Sequence, residues 1–162
     1  MKNLIEIPFN LSGKIYRSPM PFALFDDQKS ALNEYLEAGI NTVVMLIEPG
    51  EDLKHTKQNL EIVYAEQGIG VIRFPIVDFD TPEDMGALTN VLHEVREKAE
   101  NGEKIAVHCF AGRGRTGMFI ALLARLMLGM EGQEAIDWVR QYFQAIETTA
   151  QEQVVIGFIV EG

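Results

Sequence analysis

His108-Cys109, five residues, then Arg115-Thr116 sets a nucleophile and a planar cation at the two ends of a short glycine-rich segment. A cysteine attacks as its thiolate, and a strand-end position facing the unpaired N–H groups of a helix start favours that form. The guanidinium of Arg115 offers a fork of donors matched to two oxygens of a phosphate, where lysine would offer a point charge. Gly112 and Gly114 let the loop curl until successive N–H groups converge on an oxyanion. Phe110, Ala111, Gly112, Arg113 and Gly114 are therefore expected to line a phosphate cradle that Arg115 closes. Thr116 can turn its hydroxyl back toward the sulfur, and His108 can hold the loop backbone from behind.

Such a cradle requires a strand that ends at the cysteine and a helix that follows the arginine. Residues 104–107 (KIAV) look like the end of a buried strand, and residues 118–128 are apolar over helical length. Two other phosphate loops share some of these letters. Gly112-x-Gly114-x-x-Gly117 satisfies the dinucleotide fingerprint, but that fingerprint wants an acidic residue ending a second strand about 20 residues on, and Asp137 falls inside a helical pattern. The nucleotide-triphosphate loop fails because no Lys-Ser or Lys-Thr pair follows the glycines. A buried inert cysteine in a glycine turn is the bland alternative; the number of residues in register argues against it.

Ester cleavage also needs a proton for the leaving oxygen, and a positioned acid contributes roughly 10²- to 10⁴-fold. Asp78 and Asp80 stand in the segment Phe74-Pro75-Ile76-Val77-Asp78-Phe79-Asp80. It leaves a buried strand at its C-terminal end, where open α/β sheets place their sites.

The motif from His108 to Gly117 resembles the signature of the cysteine-dependent protein tyrosine phosphatases. The wider chain is similar to their small dual-specificity branch, most closely the kinase-associated phosphatase type, from Lys14-Ile15-Tyr16-Arg17-Ser18 through Pro75-Ile76-Val77-Asp78 to Ala145-Ile146-Glu147-Thr148. That resemblance selects Asp78, three residues after Pro75, as general acid, and leaves Asp80 as a local cap. It implies that Gln151 helps position water, although Glu147 stands where larger tyrosine-specific members carry another glutamine. It also sets Arg113 beside a basic loop residue of a lipid phosphatase in the family, as a second anion contact. Arg17 and Glu51 match polar positions near the site mouth, but as single charges they are expected to be solvated.

The 162 residues, 47% of them apolar, suit one domain spanning 1–162 with a substantial core. A net charge of −10 disfavours nucleic acid or an anionic membrane as a partner, so phosphate affinity has to be local. One cysteine excludes an intrachain disulfide and fits a reducing, cytoplasmic setting. No leader or membrane span is expected, and His55 and His93 lack metal-ligand spacing, so neither metal nor cofactor is predicted.

Strands and helices alternate, the pattern of an α/β fold: a central, mostly parallel sheet flanked by helices, with the phosphate loop between strand and helix. The expected strands are 14–17, 42–47, 71–74 and 104–107. The expected helices begin with one capped by Asp26 or Asp27, carrying Ala31, Leu32, Tyr35 and Leu36 on one face and stopped by Gly39. A polar helix over 53–67 follows, then a long one capped by Thr81 with Pro82 at its first position and Met85, Leu88, Val91, Leu92 and Val95 at core spacing. Helices over 133–144 and 149–160 end the chain, with Trp138 as core filler.

The activity expected is hydrolysis of phosphotyrosine in a phosphorylated protein or peptide, with phosphoserine and phosphothreonine as further substrates. A phosphoinositide or inositol phosphate phosphatase is the alternative on the same site. A phosphate-binding module without turnover is disfavoured, because Cys109, Arg115 and Asp78 are all present.

Overall fold

The computed structural model describes residues 3–160. Five strands form one mixed sheet: β1 (Ile5–Ile7), β2 (Lys14–Ser18), β3 (Thr42–Met45), β4 (Gly70–Arg73) and β5 (Lys104–His108), in the order β1-β2-β5-β3-β4. Only β1 runs antiparallel; β2, β5, β3 and β4 are parallel. Ser18 and Met45 both pair with His108, and Met45 with Arg73, so four strands end level and their following loops meet at one edge. That edge is where an open α/β sheet offers a site.

The helices are α1 (Ala31–Ala38), α2 (Glu51–Thr56), α3 (Leu60–Glu66), α4 (Met85–Glu100), α5 (Gly114–Leu128), α6 (Gly132–Val139) and α7 (Thr149–Gly157). Two cores cover the two faces of the sheet. Ile105 and Val107 point into one with α4 to α7, while Ala106 points into the other with Tyr35 of α1 and Leu60 and Tyr64 of α3. The period of two along β5 thus sends His108 to the side of Tyr64. Met118 to Ala124 are completely buried, because α5 lies between the sheet and α4, α6 and α7. Each large apolar side chain there contributes about 1.5–3 kcal/mol. Leu88, Leu92, Val95 and Ala99 make the buried stripe of α4, with Met85 and Val91 packed beside it. Trp138 packs edge-on against Phe9. Among the described residues no helix is long and apolar enough to cross a membrane.

Several boundaries differ from expectation, each for a local reason. The short edge strand β1 has three residues, too few to show a period. The helix expected over 53–67 is two, because Lys57 takes a left-handed φ of 61° and Asn59 opens α3 by accepting from the Ile62 N–H at 3.2 Å. The long helix starts three residues after Pro82, where the Asp84 carboxylate accepts from the Ala87 N–H at 3.0 Å; Thr81 and Pro82 remain in the loop. Asp26 does not cap α1 as its flanking residue, which is Ser30, but its Oδ1 still accepts from the Ala31 N–H at 2.9 Å. Gly39 ends α1 in the left-handed conformation as expected. The last two helices close earlier, at Val139 and Gly157, while α5 begins earlier, at Gly114.

Candidate active site

The loop 109–113 joins β5 to α5, and its shape is set from outside. The Phe110 carbonyl accepts from the Met20 N–H at 2.9 Å. Those of Ala111 and Gly112 accept from Arg17 Nη2 and Nε at 3.0 and 3.1 Å, and that of Arg113 from the N–H groups of Gly117 and Ile146. Four successive carbonyls are thus held on the loop's outer side. Because a trans peptide carries its N–H opposite its C=O, the N–H groups of residues 111–114 turn the other way. One of them, Gly114 N–H, meets Glu147 Oε1 at 3.0 Å. Gly112 takes φ 76°, and a Cβ there would lie 2.4 Å from the Ser18 carbonyl oxygen; at Gly117 it would lie 2.6 Å from the Ile146 nitrogen. Both approaches demand glycine.

Cys109 is 2% exposed, and the Thr116 hydroxyl donates to its sulfur at 3.1 Å. His108 is wholly buried, and burial lowers its pKa to about 4, so the ring is neutral at pH 7. The Cys109 carbonyl, 2.9 Å from Nδ1, can only accept, which puts the proton on Nδ1. Nε2 then accepts from the Tyr64 hydroxyl at 2.9 Å; burial pushes the Tyr64 pKa well up, so that proton stays. The imidazole ties the nucleophile's backbone to α3.

Arg115 is nearly fully buried, and its Nη1 and Nη2 donate to Glu51 Oε1 and Oε2 at 2.9 and 2.7 Å. Nη1 also donates to the Ile76 carbonyl at 2.9 Å, and Nη2 lies 3.2 Å from Asp78 Oδ1. Burial pulls the Arg115 pKa down, but Glu51, Cys109 and Asp78 more than reverse this and leave it raised. Burial likewise works to raise Glu51, yet the Arg115 hydrogen bonds hold it below the usual carboxylate range. The Nε of Arg115 is buried without a partner among the described residues. An unmet buried donor is costly, and on this cation an oxyanion would satisfy it.

The structure therefore brings Cys109, Thr116, His108, Arg115 and Asp78 together around the loop. Asp78 sits on the loop edge, its Oδ1 also accepting from the Phe79 N–H at 3.0 Å. Asp80 Oδ1 accepts from the Thr81 N–H at 2.7 Å, a local turn contact. Gln151 is buried, its Oε1 accepting from the Glu147 and Thr148 N–H groups in a capping box and its Nε2 donating to the Asp80 carbonyl. Phe110 packs against His55 at 4.3 Å and edge-on to Phe25 at 5.5 Å, and the Arg113 guanidinium lies 5.0 Å from the Phe25 ring.

Two expectations are corrected: Arg17 and Glu51 are not solvated surface charges. Arg17 is 8% exposed and bonds three carbonyls, those of Asn3, Ala111 and Gly112; burial lowers its pKa, with Cys109 and Tyr35 opposing. Glu51 is the bidentate partner of Arg115. Their signal was positional: Arg17 precedes the last residue of a strand that ends level with β5. Tyr64 and Glu147 carried no sequence signal for the contacts they make.

A family model described as Tc-R-P, polymorphic toxin system, DSP-PTPase phosphatase, matches residues 23–128. The chain belongs to this DSP-PTPase phosphatase family. Among its relatives, cyclin-dependent kinase inhibitor 3 of Mus musculus is 33% identical over 102 residues, covering 63% of this chain and 48% of that protein. The chain thus spans about half the length of the curated relatives it matches. The crystal structure of kinase-associated phosphatase with its catalytic-site cysteine replaced by serine superposes with a TM-score of 0.82 at 26% identity, covering 94% of this chain and 90% of that one. PTPMT1 in complex with PI(5)P shares the fold at a TM-score of 0.72 and 18% identity, covering 88% of each chain. The mixed five-stranded α/β architecture of this DSP-PTPase domain is that of the dual-specificity phosphatases.

Proposed function

We propose that this DSP-PTPase domain hydrolyses phosphomonoesters on proteins, phosphotyrosine best and phosphoserine and phosphothreonine more slowly, through a cysteinyl-phosphate. The observation that carries this is the loop after Cys109 whose four carbonyls are tied outward, which turns the N–H groups of residues 111–114 the other way. The Cys109 thiolate attacks phosphorus as the ester P–O bond breaks, and the departing oxygen takes its proton from Asp78. Asp78, now a carboxylate, takes a proton from water; that oxygen attacks phosphorus and the S–P bond breaks, returning the thiolate to the Thr116 hydroxyl. Loop N–H groups and Arg115 stabilise charge on the equatorial oxygens. Gln151 borders both loops, through Asp80 and beside Gly114, where it could hold that water. A reducing cytoplasm suits an enzyme with one cysteine as its nucleophile.

Cys109→Ser should abolish steady turnover of an aryl phosphate while the protein still binds a phosphotyrosine peptide in calorimetry. Steady hydrolysis by a verified Cys109→Ser protein would overturn the mechanism. Faster turnover of phosphoinositides than of any phosphopeptide would transfer the same chemistry to the lipid class.

A further inference from the structure

Beside the phosphate loop lies a cavity of about 670 Å³ whose walls include Arg113, Gln141, Tyr142, Phe143, Gln144 and Glu147. That size is within the rough 300–1,000 Å³ range of small-ligand pockets. It adjoins the reaction centre: Arg113 belongs to the loop, and Glu147 accepts from Gly114 N–H. Neither Asp78 nor Cys109 lines it.

Arg113 is the unusual wall residue. Among the described residues it is the one arginine with neither a carboxylate nor a carbonyl partner. Arg73, Arg96, Arg115 and Arg140 pair with Glu61, Glu100, Glu51 and Glu152, while Arg17 and Arg125 bond carbonyls. A chain of net charge −10 has carboxylates in excess, yet this cation at the site mouth is met only by the Phe25 ring at 5.0 Å. The ring holds the guanidinium in place without neutralising it. Arg140, on the same wall, is spent: its Nε donates to the Ala145 carbonyl at 2.9 Å and its Nη1 lies 3.6 Å from Glu152.

We propose that this cavity is a subsite for the peptide flanking the phosphorylated residue, and that Arg113 pairs with an acidic side chain in that flank. The proposal rests on the phosphopeptide activity given above. One cation without a carboxylate partner among the described residues, in a cavity also lined by the Glu147 carboxylate, suits a single acid and not a polyphosphate headgroup. The amides of Gln141 and Gln144 can bond peptide backbone, and Tyr142 and Phe143 offer apolar surface to a side chain.

The test compares kcat/KM for two phosphotyrosine peptides of equal length, one with glutamates and one with glutamines beside the phosphoresidue, on the full chain. The wild type should favour the acidic peptide by about three- to fivefold, the scale of a partly exposed ion pair. The preference should shrink at salt on the order of 0.5 M. Arg113→Ala should bring the ratio close to one. Gln144→Glu, on an exposed wall position outside the loop, should lower the ratio and Gln144→Lys should raise it; circular dichroism checks that each variant is folded. Equal turnover of the two peptides by the wild type overturns the subsite, as does a preference that survives both Arg113→Ala and Gln144→Glu. So does better turnover of an inositol bisphosphate with the same Gln144 dependence. Turnover of a plain aryl phosphate, which has no flank, separates the two failures. If it proceeds while the peptides are equal, the subsite alone falls; if the wild type hydrolyses nothing, the phosphatase activity falls and the subsite with it.

Discussion

The phosphate loop after β5 and the acid loop after β4 open at the same sheet edge with β3 between them, yet the first is held by residues far along the chain and the tip of the second mostly by itself. Around Cys109, the carbonyls of Ala111 and Gly112 are fixed by Arg17, and the sulfur and the imidazole next to it have partners on α5 and α3. The segment after β4 is tethered to Met45 at the end of β3 and to Leu46 just after it through Phe74 N–H and Ile76 N–H. Beyond that, Asp78 and Asp80 bond their own next residues, Asp80 N–H bonds the Val77 carbonyl, and Phe79 stands 58% exposed with φ 64°. Its long-range ties are the Ile76 carbonyl and Asp78 to Arg115 and the Gln151 amide to the Asp80 carbonyl. The oxyanion donors are thus preorganised, as electrostatic stabilisation requires, while the proton donor rides on a locally held, exposed segment of the kind that opens at low cost.

The largest test of this contrast is the acid. Asp78→Asn should slow an alkyl phosphate by roughly 10²- to 10⁴-fold and an aryl phosphate with a good leaving group far less, since only the former needs the proton. The same pattern from Asp80→Asn, or from Glu147→Gln at the other carboxylate touching the loop, would remove Asp78 from the role. Melting temperature should barely move, because the acid loop supports little beyond itself.

Acid should damage the phosphate loop through His108. Its folded pKa of about 4 lies below the ordinary 6.5, so between those values the unfolded chain binds more protons. Its contribution is complete above pH 6.5 and is lost as pH falls toward 4, by about 3 kcal/mol in all. Urea midpoints at pH 7 and pH 4.5 should differ strongly for the wild type and less for His108→Gln; equal differences would show that the imidazole does not carry the acid limb. Smallest is the clamp: in Arg17→Lys one ammonium replaces a fork that spans three carbonyls. Losing one or two buried hydrogen bonds at about 1–1.5 kcal/mol each should lower kcat about tenfold and reduce melting temperature together. A change in stability with kcat intact would make Arg17 structural only.

Much of the fold was legible in the sequence, because long periodic segments announce themselves. The α4 stripe and the wholly apolar α5 are examples, and Gly39 marked the end of α1. What failed was local competition and long-range partnership. Asn59 and Asp84 outcompeted Thr81 and a continuous helical pattern as start signals, since a side-chain acceptor for a free N–H outweighs a run of fair helix formers. Arg17 and Glu51 read as surface charges because nothing adjacent in the chain shows that β2 ends beside β5 or that α2 faces the first turn of α5.

By itself the sequence determined the chemistry on offer: a cysteine, a guanidinium and a hydroxyl in fixed spacing around glycines, and a carboxylate after a buried strand. Those relations are short-range, so backbone geometry carries them within a few residues. Only the tertiary structure decided how that loop is held, because its restraints come from residues as much as 95 positions away, as in Arg17 to Gly112. The partners of Arg115 and His108, and the cavity where Arg113 has no carboxylate partner among the described residues, depend likewise on which strands and helices the sheet order brings side by side.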